Sequence, residues 1–332
     1  MIEVIVAMMI FLVVMAAVYQ VMRIALIQRN TISTRIDAVK SARIALNYIR
    51  RDAINAGLSY HNVGGLTPVG FVNNLVGMTD VDGDRDMLTG IISGNDVSTN
   101  TLNTTPNAKM DSIGFVTRDL TFNNGDLINI TGTTVSGTDV TVQTTAGQAA
   151  VCKPFDLYLI VPSDTSQVIG LVTAVPSTSS FKLGYGTAVD PLKVNQSASA
   201  TVANDKSMLT SAGITGTLKK INLVTYSVRS DGTLLRKTYG NNTGQPIDQQ
   251  IQTHELIYNV QDFQISYLMD DGTLTNDPTS NNNGQVNQQK MNQVIEMEIS
   301  ITVLPNKIGL QISTPVTIKE VISARNLRYT VN

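Results

Sequence analysis

Four aspartates at alternate positions are the residues whose type and spacing come nearest to a chemical site. They are Asp80, Asp82, Asp84 and Asp86. Calcium binds where several such oxygens converge at about 2.3 to 2.6 Å. The match to an EF-hand loop is poor, because Arg85 takes the place of its glycine and Ile91 that of its closing glutamate. A solvated acidic turn is therefore favoured, and calcium is the only cofactor that the sequence suggests.

Other residue types that carry catalysis are sparse. The two histidines, His61 and His254, are far apart and stand in no zinc, hydrolase or phosphate-loop motif. The single cysteine, Cys152, excludes an intrachain disulfide. Nothing around it would activate the thiol, so a small buried hydrophobe is the favoured interpretation. The sequence predicts a protein that is not an enzyme.

An uninterrupted N-terminal helix must position whatever function the chain has. The first 56 residues contain neither proline nor glycine. From Val4 to Met22 there is no charge, and this length matches the roughly 20 residues that cross a hydrocarbon core. A cleavable signal peptide fits less well, because the apolar run is too long and no cleavage site follows it. A simple single-span anchor stays open as an alternative.

Beyond Arg23 the helical pattern continues and becomes amphipathic. Apolar residues recur every three or four positions, at Ile32, Ile36, Val39, Ala42, Leu46, Ile49 and Ala53. This spacing predicts a face packed on a folded head, and Gly57 predicts a left-handed cap at the end of the helix. The rod would be roughly 80 Å long at 1.5 Å per residue, which is far more than a membrane requires.

Glu3 is a lone charge at the start of the apolar run. An ionisable residue inside a membrane costs roughly 2.5 to 3.5 kcal/mol and usually has a partner. A residue so close to the end of the span can also lie at the membrane boundary and need none. On physical grounds alone, the boundary position is favoured.

The segment from Met1 to Met15 resembles the N-terminal methylation segment of type IV pilins and of type II secretion pseudopilins. Met1 and Ile2 match the Leu-Ile pair of that family, and Glu3 matches its glutamate. The resemblance implies that Glu3 pairs with the methylated N-terminal amine of a neighbouring subunit during assembly. The sequence lacks the basic leader that prepilin peptidase removes from family members. It also lacks their membrane proline, so we expect a straighter helix.

Short matches at both ends resemble the PilW-like minor pilins within that family. They are Arg43 to Gly57 (RIALNYIRRDAINAG), Asp262 to Gly272 (DFQISYLMDDG) and Ala324 to Arg328 (ARNLR). Each motif is short, but their order and spacing agree with the group. The resemblance covers the two ends of the chain and little of the middle.

Alternating patterns predict that the rest of the 332 residues form β-strands. Residues 295–303 alternate apolar and polar, and Asp231-Gly232 predicts a hairpin turn between 218–229 and 233–239. With the alternating run 263–267, these segments would form one antiparallel sheet of about four or five strands. Further candidate strands are Ile113 to Val116, Leu127 to Ile130, Val140 to Gln143, Leu157 to Pro162 and Ile169 to Val175.

The predicted fold class is α+β. A long N-terminal helix, transmembrane and then amphipathic, packs on an antiparallel β-sheet, with a β-rich insertion or second lobe. The predicted divisions are 1–56 for the helix, with its transmembrane part at about 4–22, then 57–216 for the β-rich insertion and 217–332 for the C-terminal sheet. The net charge of −2 gives no general attraction to nucleic acid.

The resemblance implies a minor pilin that helps to prime or cap a type IV pilus. Its partners would be other minor pilins, the major pilin, the pilus assembly platform and, if a precursor carries a leader, prepilin peptidase. The chain would wait in the bacterial inner membrane with its head outside the cytoplasm and then move to the cell surface. The alternatives are a pseudopilin of a type II secretion system and a membrane-anchored β-domain that does not polymerise.

Overall fold

The protein has the predicted α+β architecture, a long N-terminal helix packed on β-sheets. The computed structural model describes residues 2–60, 63–78, 85–103, 108–136, 139–163, 166–185, 189–196, 209, 212–240, 250–279, 288–306 and 314–323. All statements below concern this part of the chain.

Helix α1 spans Ile2–Asn55 without interruption. It ends where predicted, because Gly57 adopts a left-handed φ of 75° and its N–H donates to the Val116 carbonyl at 2.8 Å. The buried side chains lie in the C-terminal third and are Ala38, Ala42, Ala45, Leu46, Ile49 and Ala53. The predicted stripe is wrong at its upper end, because Ile32 and Ile36 are 60 % and 48 % exposed. The head covers the helix only from Ala38 onward.

The strands fall into two sheets, and the first third of the head supplies four of them. In chain order the elements are β1 (Gly65–Leu66), helix α2 (Phe71–Leu75), β2 (Met87–Leu88), β3 (Ile91–Ser98) and β4 (Met110–Arg118). The middle of the head adds β5 (Ile128–Ser136), β6 (Asp139–Thr144), β7 (Leu157–Pro162), β8 (Val168–Leu171), β9 (Ala174–Ser177) and β10 (Ser180–Gly184). Short 3-10 helices lie at Phe122–Gly125 and Gln148–Val151.

The last third contains the longest strand and the whole of the second sheet. Its strands are β11 (Gly216–Val228), β12 (Leu234–Tyr239), β13 (Ile251–Ile257), β14 (Val260–Met269), β15 (Leu274–Thr275), β16 (Val294–Val303) and β17 (Val316–Ser323). A 3-10 helix at Gln288–Gln293 precedes β16. Strands β1 to β13 form a 13-stranded sheet, and the rest form a four-stranded sheet in the order β15-β14-β16-β17.

Strand β11 joins the parts of the large sheet. Its first half pairs with β5 on one side and β7 on the other, and its second half pairs with β4 and β12. The turn between β11 and β12 is the predicted one, with a φ of 81° at Gly232. A side chain at Gly232 would collide with Leu102 and with the Val260 carbonyl. Glycine is therefore required at this position, because it has no side chain to collide and because it readily adopts a positive φ.

The single C-terminal sheet predicted from the sequence is wrong in its membership. The β11–β12 hairpin belongs to the large sheet, whereas 263–267 and 295–303 lie on β14 and β16 of the small sheet. The two sheets face each other across a core that also takes in the lower part of α1. The partners of β11 include β4, which lies about 100 residues away in sequence, and alternation within a strand does not identify such partners.

The other candidate strands are confirmed, with one division. The predicted segments at 113–116, 127–130, 140–143 and 157–162 lie in β4, β5, β6 and β7. The segment 169–175 is two strands, because Thr173 leaves the ladder and its N–H donates to the Lys182 carbonyl. Tyr158 on β7 stacks on Phe181 on β10, with 6.1 Å between the ring centroids, in the core of the middle strands.

Candidate assembly surface

The N-terminal half of α1 presents its side chains to the surroundings rather than to the head. Every residue from 2 to 29 is exposed, including large apolar side chains such as Phe11 and Val13 at 63 % and 70 %. Within the described part of the chain, α1 is the helix long and apolar enough to cross a membrane. An apolar surface of this extent needs an apolar environment or a protein partner.

The exposed apolar surface continues past the length that a bilayer covers. A span ending at Met22 already accounts for a hydrocarbon core of about 30 Å, and the headgroup layer adds only about 5 to 8 Å on each side. The first buried residue, Ala38, lies about 24 Å further along the helix axis. This stalk, residues 23–37, carries the exposed residues Ile24, Leu26, Ile27, Ile32 and Ile36. Neither a bilayer nor the head covers all of them.

Glu3 lies exposed in the first turn of α1, where the positive end of the helix dipole favours a carboxylate. The next charge along the chain is Arg23, about 30 Å away along the axis. Within the described residues Glu3 forms no salt bridge. Any cation that pairs with its carboxylate would have to come from outside this part of the molecule.

A half-buried ionic cluster fixes the other end of α1 to the head. The Asp52 Oδ2 accepts hydrogen bonds from the Tyr226 hydroxyl at 2.6 Å and from Arg236 Nε and Nη2 at 3.0 and 2.9 Å. Burial, with the Asp52 carboxylate close by, raises the pKa of Tyr226, so the phenol stays a donor. A weaker, exposed pair joins Arg50 to Glu320 at 3.4 Å. The cluster joins α1 to the large sheet, and the Arg50–Glu320 pair joins it to β17 of the small sheet.

Sequence reasoning missed this cluster. In the sequence, Asp52 stands out only as part of the motif from Arg43 to Gly57. Its partners on β11 and β12 are 174 and 184 residues away in sequence. A lone acid within a basic run, at the end of the apolar stripe, was the one available signal. It marks a position that needs a cation, although it does not identify Arg236.

The acidic turn is only partly within the described structure. Asp80, Asp82 and Asp84 lie outside the described residues. Asp86 caps the short helix α2, where its Oδ2 accepts the Val72 N–H at 2.9 Å. Among the described residues no three His, Cys, Asp or Glu side chains are grouped so as to hold a metal ion. Calcium binding by this turn remains a prediction.

The remaining candidate residues are dispersed. His61 lies outside the described part of the chain, and His254 is exposed on β13. Cys152 is buried as predicted, and burial raises the pKa of its thiol to about 11. A thiol with that pKa is a poor nucleophile at neutral pH.

Comparison with known proteins does not decide the function. No model of a known protein family matches the chain, and a search of the curated proteins also finds no match.

Proposed function

We propose that this protein is a structural subunit of a type IV pilus-like filament, a minor pilin that primes or caps assembly. Its apolar helix would wait in the bacterial inner membrane, with the head outside the cytoplasm. The helix would then leave the bilayer and pack among the helices of other minor pilins and of the major pilin. The proposed mechanism is mechanical and involves no enzymatic step.

The observation that carries the proposal is the exposed apolar surface of the stalk. A domain that is only anchored needs an apolar span and a soluble connection to its head. This helix instead exposes Ile24, Leu26, Ile27 and Ile32 beyond the span, in a stretch about 24 Å long. Side chains of this kind pack well between neighbouring helices. The stalk thus extends the surface available for packing from the membrane up to the head.

Glu3 would set the register of that packing. A carboxylate moved from the membrane boundary into a bundle of apolar helices becomes costly unless a cation meets it. The amine at the start of a neighbouring subunit is a cation of the right kind at the right end of the helix. Pairing would favour one axial stagger over others, because any other stagger would leave the carboxylate buried without a partner.

Replacement of Glu3 tests the assembly role directly. We expect Glu3→Ala and the isosteric Glu3→Gln, expressed with a prepilin leader, to remain in the membrane fraction and to be lost from sheared filaments. A matched control on the head is Asp126→Asn, which removes an exposed carboxylate outside the span and the stalk and should leave incorporation unchanged. Normal incorporation of both Glu3 variants would contradict the role of Glu3. Absence of the wild-type protein from sheared filaments would favour a membrane-anchored β-domain that does not polymerise.

The basic residues that follow the span affect which side of the membrane the head can reach. Arg23, Arg29 and Arg35 lie on the head side of the apolar run, and basic residues beside a span favour the cytoplasmic side. Export of the head therefore requires a more basic segment ahead of the span, which a prepilin leader would supply. Mass spectrometry of the protein from native membranes tests this. A methylated end one or two residues upstream of Met1 supports prepilin peptidase processing, and an unprocessed Met1 contradicts it.

The same N-terminal helix would serve a pseudopilin of a type II secretion system equally well. The two systems differ in the proteins encoded beside the subunit, so the neighbouring genes separate them. Genes for a retractable pilus and its major pilin would support the pilus, and genes for a secretion channel would support the pseudopilus.

A further inference from the structure

The stalk contains a run of five residues that are poorly suited to a helix. They are Asn30, Thr31, Ile32, Ser33 and Thr34. The β-branched side chains lose rotamer freedom in a helix, and Asn and Ser compete for backbone hydrogen bonds. The residues on either side include several good helix formers, such as Leu26 and Ala38. The weakest stretch of the extramembrane helix therefore lies between the span and the head.

Side-chain hydrogen bonds act on the backbone at the same place. The Thr31 hydroxyl donates to the Ile27 carbonyl at 2.9 Å, and the Thr34 hydroxyl donates to the Thr31 carbonyl at 3.1 Å. Such bonds to the preceding turn compete with the helical N–H donors and often bend a helix. The Ile27 and Thr31 carbonyls therefore each accept a side-chain hydroxyl, which competes with the backbone N–H groups of the helix.

Tertiary packing does not compensate for this weakness. Asn30 and Thr34 are half-buried and the three residues between them are exposed, whereas from Ala38 onward the helix is held in the core. A cavity of about 180 Å³ lies beside Thr34, Asp37, Ala38 and Ser41 and the head segments 256–259 and 303–306. Residues 30–34 therefore form a weak helical turn, and a cavity lies between the end of this turn and the head.

We propose that residues 30–34 form a joint, at which the apolar rod bends or locally unwinds relative to the head. The need for a joint rests on the proposed function, because a subunit that moves from a bilayer into a filament must orient one helix in two surroundings. Asp52 and the buried alanines keep the lower part of α1 fixed to the head. Motion is then confined to the turn just above them.

Hydrogen exchange of the full chain in detergent micelles tests the joint. The joint predicts that amides 31–36 exchange faster in the wild type than in a variant whose helix is strengthened at these positions. We expect the variant Asn30→Ala/Thr31→Ala/Ser33→Ala/Thr34→Ala to slow exchange at 31–36 by about tenfold or more, since alanine is the best helix former. Asn47→Ala is an equivalent replacement in the part of α1 that packs on the head, and it should leave exchange at 31–36 unchanged.

Spin-label distances provide a second readout that depends on angle. Labels at Leu26→Cys and Val321→Cys, in a Cys152→Ala background, should give a broad distance distribution that narrows in the four-alanine variant. Equal exchange at 31–36 in the wild type and the four-alanine variant, or equal widths of the distance distribution in both proteins, would overturn the joint. Both measurements use isolated protein. Their outcome is therefore independent of whether Glu3 is needed for incorporation into filaments.

Discussion

Asp111 is a carboxylate buried where the two sheets meet. It is 2 % exposed, and it accepts the Ile265 N–H of β14 at 2.7 Å and the Asp96 N–H of β3 at 3.0 Å. Burial raises its pKa from 3.8 to about 6, and the nearby charges of Asp96 and Asp262 add to the effect. The side chain links the small sheet to the large one, and loss of solvation is the cost.

The raised pKa of Asp111 predicts that the free energy of unfolding rises as the pH falls. The folded state holds the Asp111 proton more tightly than the unfolded state does, so the group stabilises the fold least above about pH 6. Its unfavourable contribution disappears as the pH falls towards the unfolded pKa. The free energy of unfolding of the wild type, relative to Asp111→Asn, should therefore rise by up to about 1.4 kcal/mol per pH unit on acidification between these limits.

Urea unfolding followed by tyrosine near-ultraviolet circular dichroism at several pH values measures this difference. Asp271→Asn is the control, because the exposed Asp271 has a lowered pKa and should show no such rise above pH 4. A difference between wild type and Asp111→Asn that stays constant from pH 4 to 7 would contradict the assignment. The sequence could not have revealed Asp111, because its partner on β14 is 154 residues away.

At the scale of elements, helix periodicity predicted which side of α1 is buried and failed to predict where burial begins. Ala42, Leu46, Ile49 and Ala53 are buried as expected. The repeat continues upward through Ile32 in the same phase, yet the head ends below it. Strand alternation behaved in the same way, since it located the strands but not the sheet to which each belongs. Both failures concern contacts with distant parts of the chain.

Two isoleucines on α1 separate packing from helix propensity. Ile49 is 0 % exposed in the core, and Ile44 is 52 % exposed on the opposite side of the same helix. We expect Ile49→Ala to lower the free energy of unfolding of the head by about 2 to 5 kcal/mol. Ile44→Ala should change it by only about 0.5 kcal/mol. Chemical denaturation compares the two, and equal losses would mean that α1 is not docked as described.

The bulk of the head would constrain the place of the protein in the proposed filament. Two sheets with 13 and four strands pack against one side of the lower part of a single helix. A head of this size is hard to stack at close repeats, so we expect the subunit at pilus tips, consistent with a priming or capping role. Immunogold labelling of intact pili should mark their ends. Abundant labelling along the shafts would contradict the tip position and leave the assembly role of Glu3 to be judged separately.

The sharing of β11 has a consequence for trimming the protein. Residues 57–216 look like a removable insertion in the sequence, yet they supply β4, which pairs with the same half of β11 that carries Tyr226. Excision of the insertion would leave that edge of β11 without a partner and would strip Ile113 and Phe115 from the core around α1. A shortened version of the head should therefore keep β3 and β4. It should also lose the first half of β11 if β5 and β7 are removed, because those two strands are the partners of that half.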